Sequence, residues 1–151
     1  MYYSQKVNMM NLDHIDKQII SILQKKGRDS ASHIAIEIGM SIPAVADRIR
    51  KLQEGKVITS FQAVVDPRML GLDVSALITI ISESSEHYNE VVESAKNTVE
   101  VIQCFTTTGN GSHVLIIQTE NTRSLEKLLR QIQAWPGVMR TETQTILSNY
   151  K

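Results

Sequence analysis

The chain is poor in several residue types, and each shortage excludes a class of protein. It has a single cysteine, Cys104, in 151 residues. That rules out an intramolecular disulfide framework and any metal site built from several cysteines. A lone cysteine among apolar neighbours reads instead as a small hydrophobe in a strand. No apolar run is long enough to span a bilayer as a helix. The opening stretch, MYYSQKVNMMNLDH, lacks the basic-then-apolar order of a secretory signal. The cytoplasm is therefore the expected compartment. Aromatic residues make up only 5% of the chain, with one tryptophan. Standing before Pro136, Trp135 reads as a packing or interface anchor, not as a platform for stacked bases. Net charge is zero, with 16 basic and 16 acidic residues, so the chain as a whole is not a polycation.

What is present is an ordinary globular composition, 42% hydrophobic and 21% charged. The length suits one domain or two small ones. The charge is unevenly spread. Residues 1–60 hold nine Lys/Arg against six Asp/Glu, a net of +3, and the rest of the chain holds seven against ten, a net of −3. That asymmetry is expected when one half meets phosphates and the other does not.

The basic half centres on DSASHIAIEIGMSIPAVADRIRKLQ, residues 29–53. Ile34, Ala35 and Ile38 recur at helical spacing, and Gly39 sits where that helix ends. Ser41 takes an N-cap position, with Pro43 in the first turn of a second helix whose apolar stripe is Val45, Ile49 and Leu52. Two helices joined by a tight glycine turn describe a helix-turn-helix, and the basic second helix is its DNA-reading element. Before it, Asp13 and Asp16 open a helix whose stripe is Ile15, Ile19, Ile20, Ile22 and Leu23, ending at Gly27. Residues 1–11 are expected to be a leader. After Gly55, VITSFQAVV over residues 57–65 alternates like a strand, either a wing beside the helices or the first arm of a connection. Asp66-Pro67 and Gly71 are loop chemistry.

From Val74 the period changes. VSALITIIS is a β-branched run, followed by an amphipathic helix over residues 86–97. Strands are expected over 99–107 and 112–119, joined as a hairpin by a tight turn at Gly109-Asn110-Gly111. Asn121 or Thr122 opens a helix carrying Leu125, Leu128, Leu129 and Ile132, and after Pro136-Gly137 comes a last strand over 138–147. The order strand, helix, strand, strand, helix, strand is that of a ferredoxin-like domain. The expected fold is α+β: a winged helix-turn-helix over residues 12–60, a strand and linker over 61–73, and a ferredoxin-like βαββαβ domain over 74–151. The sheet face that the helices leave open reads as largely apolar, which calls for self-association.

The chain resembles the leucine-responsive and asparagine-operon regulators (the Lrp/AsnC family) over about residues 11–148. The resemblance is carried by Leu12-Asp13-x-x-Asp16-x-x-Ile19-Ile20-x-x-Leu23, Gly27-Arg28 and Ser41-x-Pro43-Ala44-Val45-x-x-Arg48-Ile49-x-x-Leu52. Gly55-x-Val57-Ile58, Val65-Asp66-Pro67, Leu70-Gly71 and Thr108-Gly109 continue it. It implies a transcriptional regulator made of a winged helix-turn-helix and a regulatory domain, in dimers that assemble into octamers or other even rings. It also implies a small effector, often an amino acid, bound between regulatory domains. One departure stands out. Where many members have Gly-x-Tyr-Asp near the effector, this chain has Gly109-Asn110-Gly111-Ser112, without the carboxylate that would meet an ammonium group.

Site residues follow. Ala44, Asp47 and Arg48, with Arg50 and Lys51, are expected at the DNA; an intradomain ion pair is the competing role for Arg48. Arg28, Ser30, Ser32 and Ser41 are candidates for phosphate contacts near helix N-termini. Thr107, Thr108, Gly109, Asn110 and Ser112 read in two ways. They are a plain hairpin turn, or a place where main-chain N–H groups and hydroxyls hold a ligand's carboxylate. His14, His33, His87 and His113 are scattered without ligand spacing, so no metal and no cofactor is expected. Ser112-His113 is no catalytic pair, because adjacent strand residues point to opposite faces. The expected partners are double-stranded DNA, further copies of the chain and a small effector, with no membrane. A metabolite-binding or architectural protein that grips DNA without sequence preference is the alternative. An enzyme is not expected, since no set of catalytic groups is present.

Overall fold

In the computed structural model, which describes residues 11–150, three helices come first: α1 (His14–Lys25), α2 (Ala31–Ile38) and α3 (Ile42–Glu54). The leader expected over residues 1–11 lies, apart from Asn11, outside the described residues. Asp13 caps α1 through a reciprocal box. Its carboxylate accepts from the Asp16 N–H at 2.8 Å, and the Asp16 carboxylate accepts from the Asp13 N–H at 3.2 Å. Ser30 caps α2 by accepting from the His33 N–H at 3.2 Å. Gly39 closes α2 in the left-handed region, φ 69°, which a side chain would resist. Ser41 holds the extended N-cap backbone of α3, but its hydroxyl caps no N–H there. The stripes meet in one core of Ile19, Leu23, Ile34, Ala35, Val45 and Leu52, with Ile49 and Ile58 packed against it.

The strand expected over residues 57–65 is not formed. The N–H groups of Val57 and Ile58 both bond back to the Leu52 carbonyl, finishing α3, and the following residues have no regular structure. Alternation is only half of a strand; a ladder of partner groups is the other half, and among the described residues none lies beside this segment. Ile58 packs on the helical core, but the later apolar side chains are left in the open, Val64 fully and Phe61 by 46%.

The chain divides into two compact units between Val64 and Val65. The second starts with a 3-10 turn (Pro67–Leu70) and continues as β1 (Val74–Ser82), α4 (Tyr88–Lys96), β2 (Val101–Thr106), β3 (His113–Thr119), α5 (Thr122–Gln133) and β4 (Val138–Ile146). The sheet order is β2-β3-β1-β4, antiparallel throughout, as in a ferredoxin-like domain. Register sets the sidedness. Ala76, Ile78 and Ile80 of β1 pair with Ile117, Leu115 and His113 of β3. The apolar residues of this set pack under Val91 and Ala95 of α4, and under Leu125, Leu128, Ile132 and Trp135. Trp135 is thus a core residue, and Cys104 of β2 packs against the same core.

On the opposite face lie Leu77 and Thr79 of β1, Val114 and Ile116 of β3 and Phe105 of β2. Their β4 neighbours are Gln144 and Glu142, facing Leu77 and Thr79. The open face, expected to be largely apolar, is apolar along its middle and polar along its β4 edge. The β4 edge can stay in water while the central strip asks for cover.

Candidate DNA-binding and effector sites

The outward surface of α3 is a cluster of charges at three- and four-residue spacing, the spacing that puts side chains side by side on a helix. The Asp47 carboxylate takes the Arg50 guanidinium at 2.5 Å on one oxygen and the Lys51 ammonium at 2.8 Å on the other. Arg50 reaches on to Glu54 at 2.6 Å. Lys51 first, then Arg50, holds the Asp47 carboxyl below the usual carboxylate range, and Asp47 and Glu54 raise the Arg50 guanidinium. All four side chains are substantially exposed.

Arg48 turns the other way. One guanidinium nitrogen donates to Asp13 and to Asp16, each at 2.7 Å. The Asp16 side chain is only 9% exposed. Asp16 first and Asp13 second raise the Arg48 pKa. The Asp13 carboxyl is lowered by the Asp16 N–H and then by Arg48. Arg48, expected with Ala44 and Asp47 at the DNA, thus forms the intradomain ion pair named as its competing role. It ties the start of α1 to the middle of α3 and is committed to two carboxylates. Ala44 is half-buried at the head of α3. At the start of α2, Ser30 and Ser32 share a hydrogen bond at 2.8 Å on the exposed surface beside Arg28.

The second site is the loop between β2 and β3. It is not a two-residue turn. The Thr107 N–H bonds to the Ser112 carbonyl at 3.0 Å, and the Thr107 hydroxyl donates to the Gly111 carbonyl at 3.1 Å, so six residues make the loop. Gly109 carries the positive φ, 102°, whereas Asn110 and Gly111 do not, which excludes the tight turn expected of Asn-Gly. Gly111 is needed for close approach. A Cβ there would stand 2.3 Å from the Thr79 methyl.

Ser112 and His113 do meet, contrary to the expectation that they face apart. Ser112 precedes the strand in a bend, and its hydroxyl lies 2.9 Å from His113 Nδ1. The same hydroxyl donates to the Ile80 carbonyl at 3.2 Å and sits 2.7 Å from the Ser82 hydroxyl. Ser112 is buried and fully engaged in fastening the loop to β1, so its expected role as a ligand contact gives way to a structural one. Thr107 is likewise used within the loop, and Thr108, Gly109 and Asn110 are the exposed members. His113 is wholly buried, edge-on to the Tyr88 ring at 4.9 Å between centroids, and burial lowers its pKa. Its Nε2 has no partner among the described residues. His14, His33 and His87 lie on or beside separate helices.

Sequence reasoning missed the Asp47-centred cluster, although its spacing along α3 was visible. It also missed Asp13 and Asp16 as partners of Arg48, which no local pattern reveals. The Ser82–Ser112–His113 chain needed the β1–β3 register.

Comparison with known proteins agrees with both halves. The AsnC-type helix-turn-helix domain model matches residues 12–53, and the Lrp/AsnC ligand binding domain model matches residues 74–151. The HTH-type transcriptional regulator FL11 of Pyrococcus horikoshii is 36% identical over 140 residues, covering 93% of this chain and 92% of the relative. The regulatory protein AsnC of Haemophilus influenzae is 30% identical over 142 residues, covering 93% and 95%. Among solved structures, Escherichia coli AsnC superimposes with a TM-score of 0.83 at 27% identity, covering 93% of this chain and 95% of that one. A feast or famine regulatory protein from Mycobacterium tuberculosis, complexed with L-methionine, gives 0.87 at 29% identity, with the same coverage.

Proposed function

The chain belongs to the Lrp/AsnC family of transcriptional regulators, and from that premise we infer how its parts divide the work of a DNA-binding regulator. We place the DNA-binding unit at residues 12–60, the connection at 61–73 and the regulatory domain at 74–151. The reading rests above all on the exposed polar surface of α3, the second helix of the helix-turn-helix. In a major groove, Ala44, Asp47, Arg50 and Lys51 meet base edges and adjoining phosphates. Arg28, Ser30, Ser32 and Ser41 meet the backbone around it. The Ser41 hydroxyl, not used as a cap, is free to do so. Arg48 positions α3 rather than touching DNA.

The regulatory domain takes a small effector. The methionine-bound relative supports an amino acid or a molecule of that size. Thr108, Gly109 and Asn110 supply exposed N–H groups and polar side chains for its carboxylate, while Ser112 holds the loop in place. Self-association covers the apolar strip of the sheet and the bare Phe61, Val64 and Val65, giving dimers and, by extension, an octamer or another even ring. An effector at the loop then regulates by favouring one assembly over another. Such a regulator works where the chromosome is, in the cytoplasm; among the described residues no helix is long and apolar enough to cross a membrane.

Light scattering with and without a panel of amino acids tests the regulatory half. The expected result is a dimer or larger species whose mass or dissociation shifts with one ligand. A monomer indifferent to all of them would overturn the assembly reading.

A further inference from the structure

Each cation of α3 has a carboxylate partner. Arg48 is bound to Asp13 and Asp16, Arg50 to Asp47 and Glu54, and Lys51 to Asp47. The outward surface of the recognition helix is therefore two cations balanced by two carboxylates, in a protein whose net charge is zero. Affinity for DNA of arbitrary sequence comes almost wholly from cations that neutralise phosphates and release counterions. A neutral α3 offers little of it.

We propose that Asp47 is a specificity-determining residue, which holds Arg50 and Lys51 away from phosphates on the wrong DNA and releases them where its own carboxylate finds a donor on a base edge. The inference rests on the DNA-binding reading of α3 and adds to it a penalty against incorrect sites.

Geometry gives Asp47 this place. It alone contacts both cations, one on each carboxylate oxygen. Arg50 and Lys51 cannot both turn to phosphates without leaving Asp47 unpartnered beside a polyanion. Exposed ion pairs are weak singly, so what keeps the cluster closed on other sequences is the cost of an uncompensated carboxylate beside the phosphates, not the strength of the pairs. What removes the penalty is a hydrogen-bond donor for the carboxylate. In the major groove the N4 amine of cytosine is the donor that pairs with an acidic side chain. At such a site the two freed cations add phosphate or base contacts, and elsewhere they stay paired.

Asp47→Asn tests the idea, measured by fluorescence anisotropy against two duplexes over a series of salt concentrations. One duplex has random sequence, and the other is selected from a random pool by the wild-type protein. Each freed cation should steepen the log–log salt slope by about 0.9 and tighten random-sequence binding about fivefold at ~0.15 M salt, per protomer. The selected duplex should gain less or lose affinity, so the ratio of specific to non-specific binding falls. Glu54→Gln loosens Arg50 but keeps the Asp47 acceptor, and should leave that ratio nearly unchanged. If Asp47→Asn leaves both the slope and the random-sequence affinity at wild-type values, the proposal is overturned. Arg50→Gln with Lys51→Gln separates the two levels. If that double variant still binds DNA as wild type does, α3 does not face DNA through this surface, and the underlying reading fails as well. Matching circular-dichroism melts establish that each variant is folded.

Discussion

Replacing Gly111 by alanine should destabilise the second unit, and the structure gives the size of the effect. The added Cβ would lie 2.3 Å from the Thr79 methyl and 3.3 Å from the Ile80 carbonyl oxygen. Comfortable carbon–carbon contact needs about 3.5–4.0 Å, so something must move by more than an ångström. Thr79 is β-branched and stiff about χ1, and in β1 it is flanked by Val114 and Glu142. The loop cannot simply lift, because the Ile80 carbonyl accepts from both the N–H of Ser112, at 2.8 Å, and its hydroxyl, at 3.2 Å. Forcing extra carbon into a packed site costs about 1–3 kcal/mol. For a unit of this size each kcal/mol is about 4–8 °C of melting temperature, so a drop of roughly 10 °C is expected. Because the φ of Gly111 is an ordinary one, the cost is contact and not backbone strain. Thr79→Ser removes the offending methyl, and in the double variant it should recover at least half of the loss. Thermal and urea unfolding of the four proteins in the cycle measure this. Gly111→Ala melting within about 2 °C of wild type, against the shift expected from that scale, would mean that the site has room for the added carbon. A double variant that recovers nothing would mean that the Thr79 methyl is not what the added carbon meets.

Other perturbations give separate readings. Burial lowers the His113 pKa, so the folded protein keeps the ring neutral where the unfolded chain takes up a proton. Stability should therefore fall as pH drops below about 6.5, the unfolded value, and level off beneath the lowered folded value. Urea midpoints between about pH 5 and 8 should show this slope in wild type and lose it in His113→Phe, since burial of the ring is its only source; equal slopes would contradict it. Ser30→Ala removes a used cap and should cost about 0.5–2 kcal/mol, whereas Ser41→Ala, whose hydroxyl caps nothing, should leave melting unchanged and weaken DNA binding. Arg48→Ala should lower melting temperature and DNA affinity together, because it unties α1 from α3. Loss of DNA binding without loss of stability would return Arg48 to the groove.

Elements whose signals are local could be read from the sequence. The helix openings at Asp13, Ser41 and Asn121, the glycine at position 39 and the stripes of α1, α3 and α5 are all written within a few residues of where they act. The successive switches between alternating and helical period were enough to place the βαββαβ order. Features that depend on distant partners were hidden. Residues 57–65 alternate as a strand should, yet no strand forms there. Arg48 looks like its neighbours on a basic helix, and only the packing of α1 across α3 brings two carboxylates to it. Asn110-Gly111 has the composition of a tight turn, but the bonds of Thr107 to the Ser112 and Gly111 carbonyls close a longer loop. Ser112 reads as a ligand contact from the sequence because its bond to Ile80 joins residues that are 32 apart in the chain.

Sequence-specific DNA recognition by the α3 surface is the property on which the regulator's function depends. The measurement that tests it is selection from a pool of random duplexes with the purified wild-type protein, followed by sequencing of the bound fraction. Symmetric pairing of two α3 helices predicts enrichment of an inverted repeat with half-sites one or more helical turns apart, about 10–10.5 base pairs per turn. The same motif should be lost when Arg50 and Lys51 are both replaced by Gln. Tight binding with no sequence enriched would contradict the account and leave a protein that grips DNA by its backbone alone.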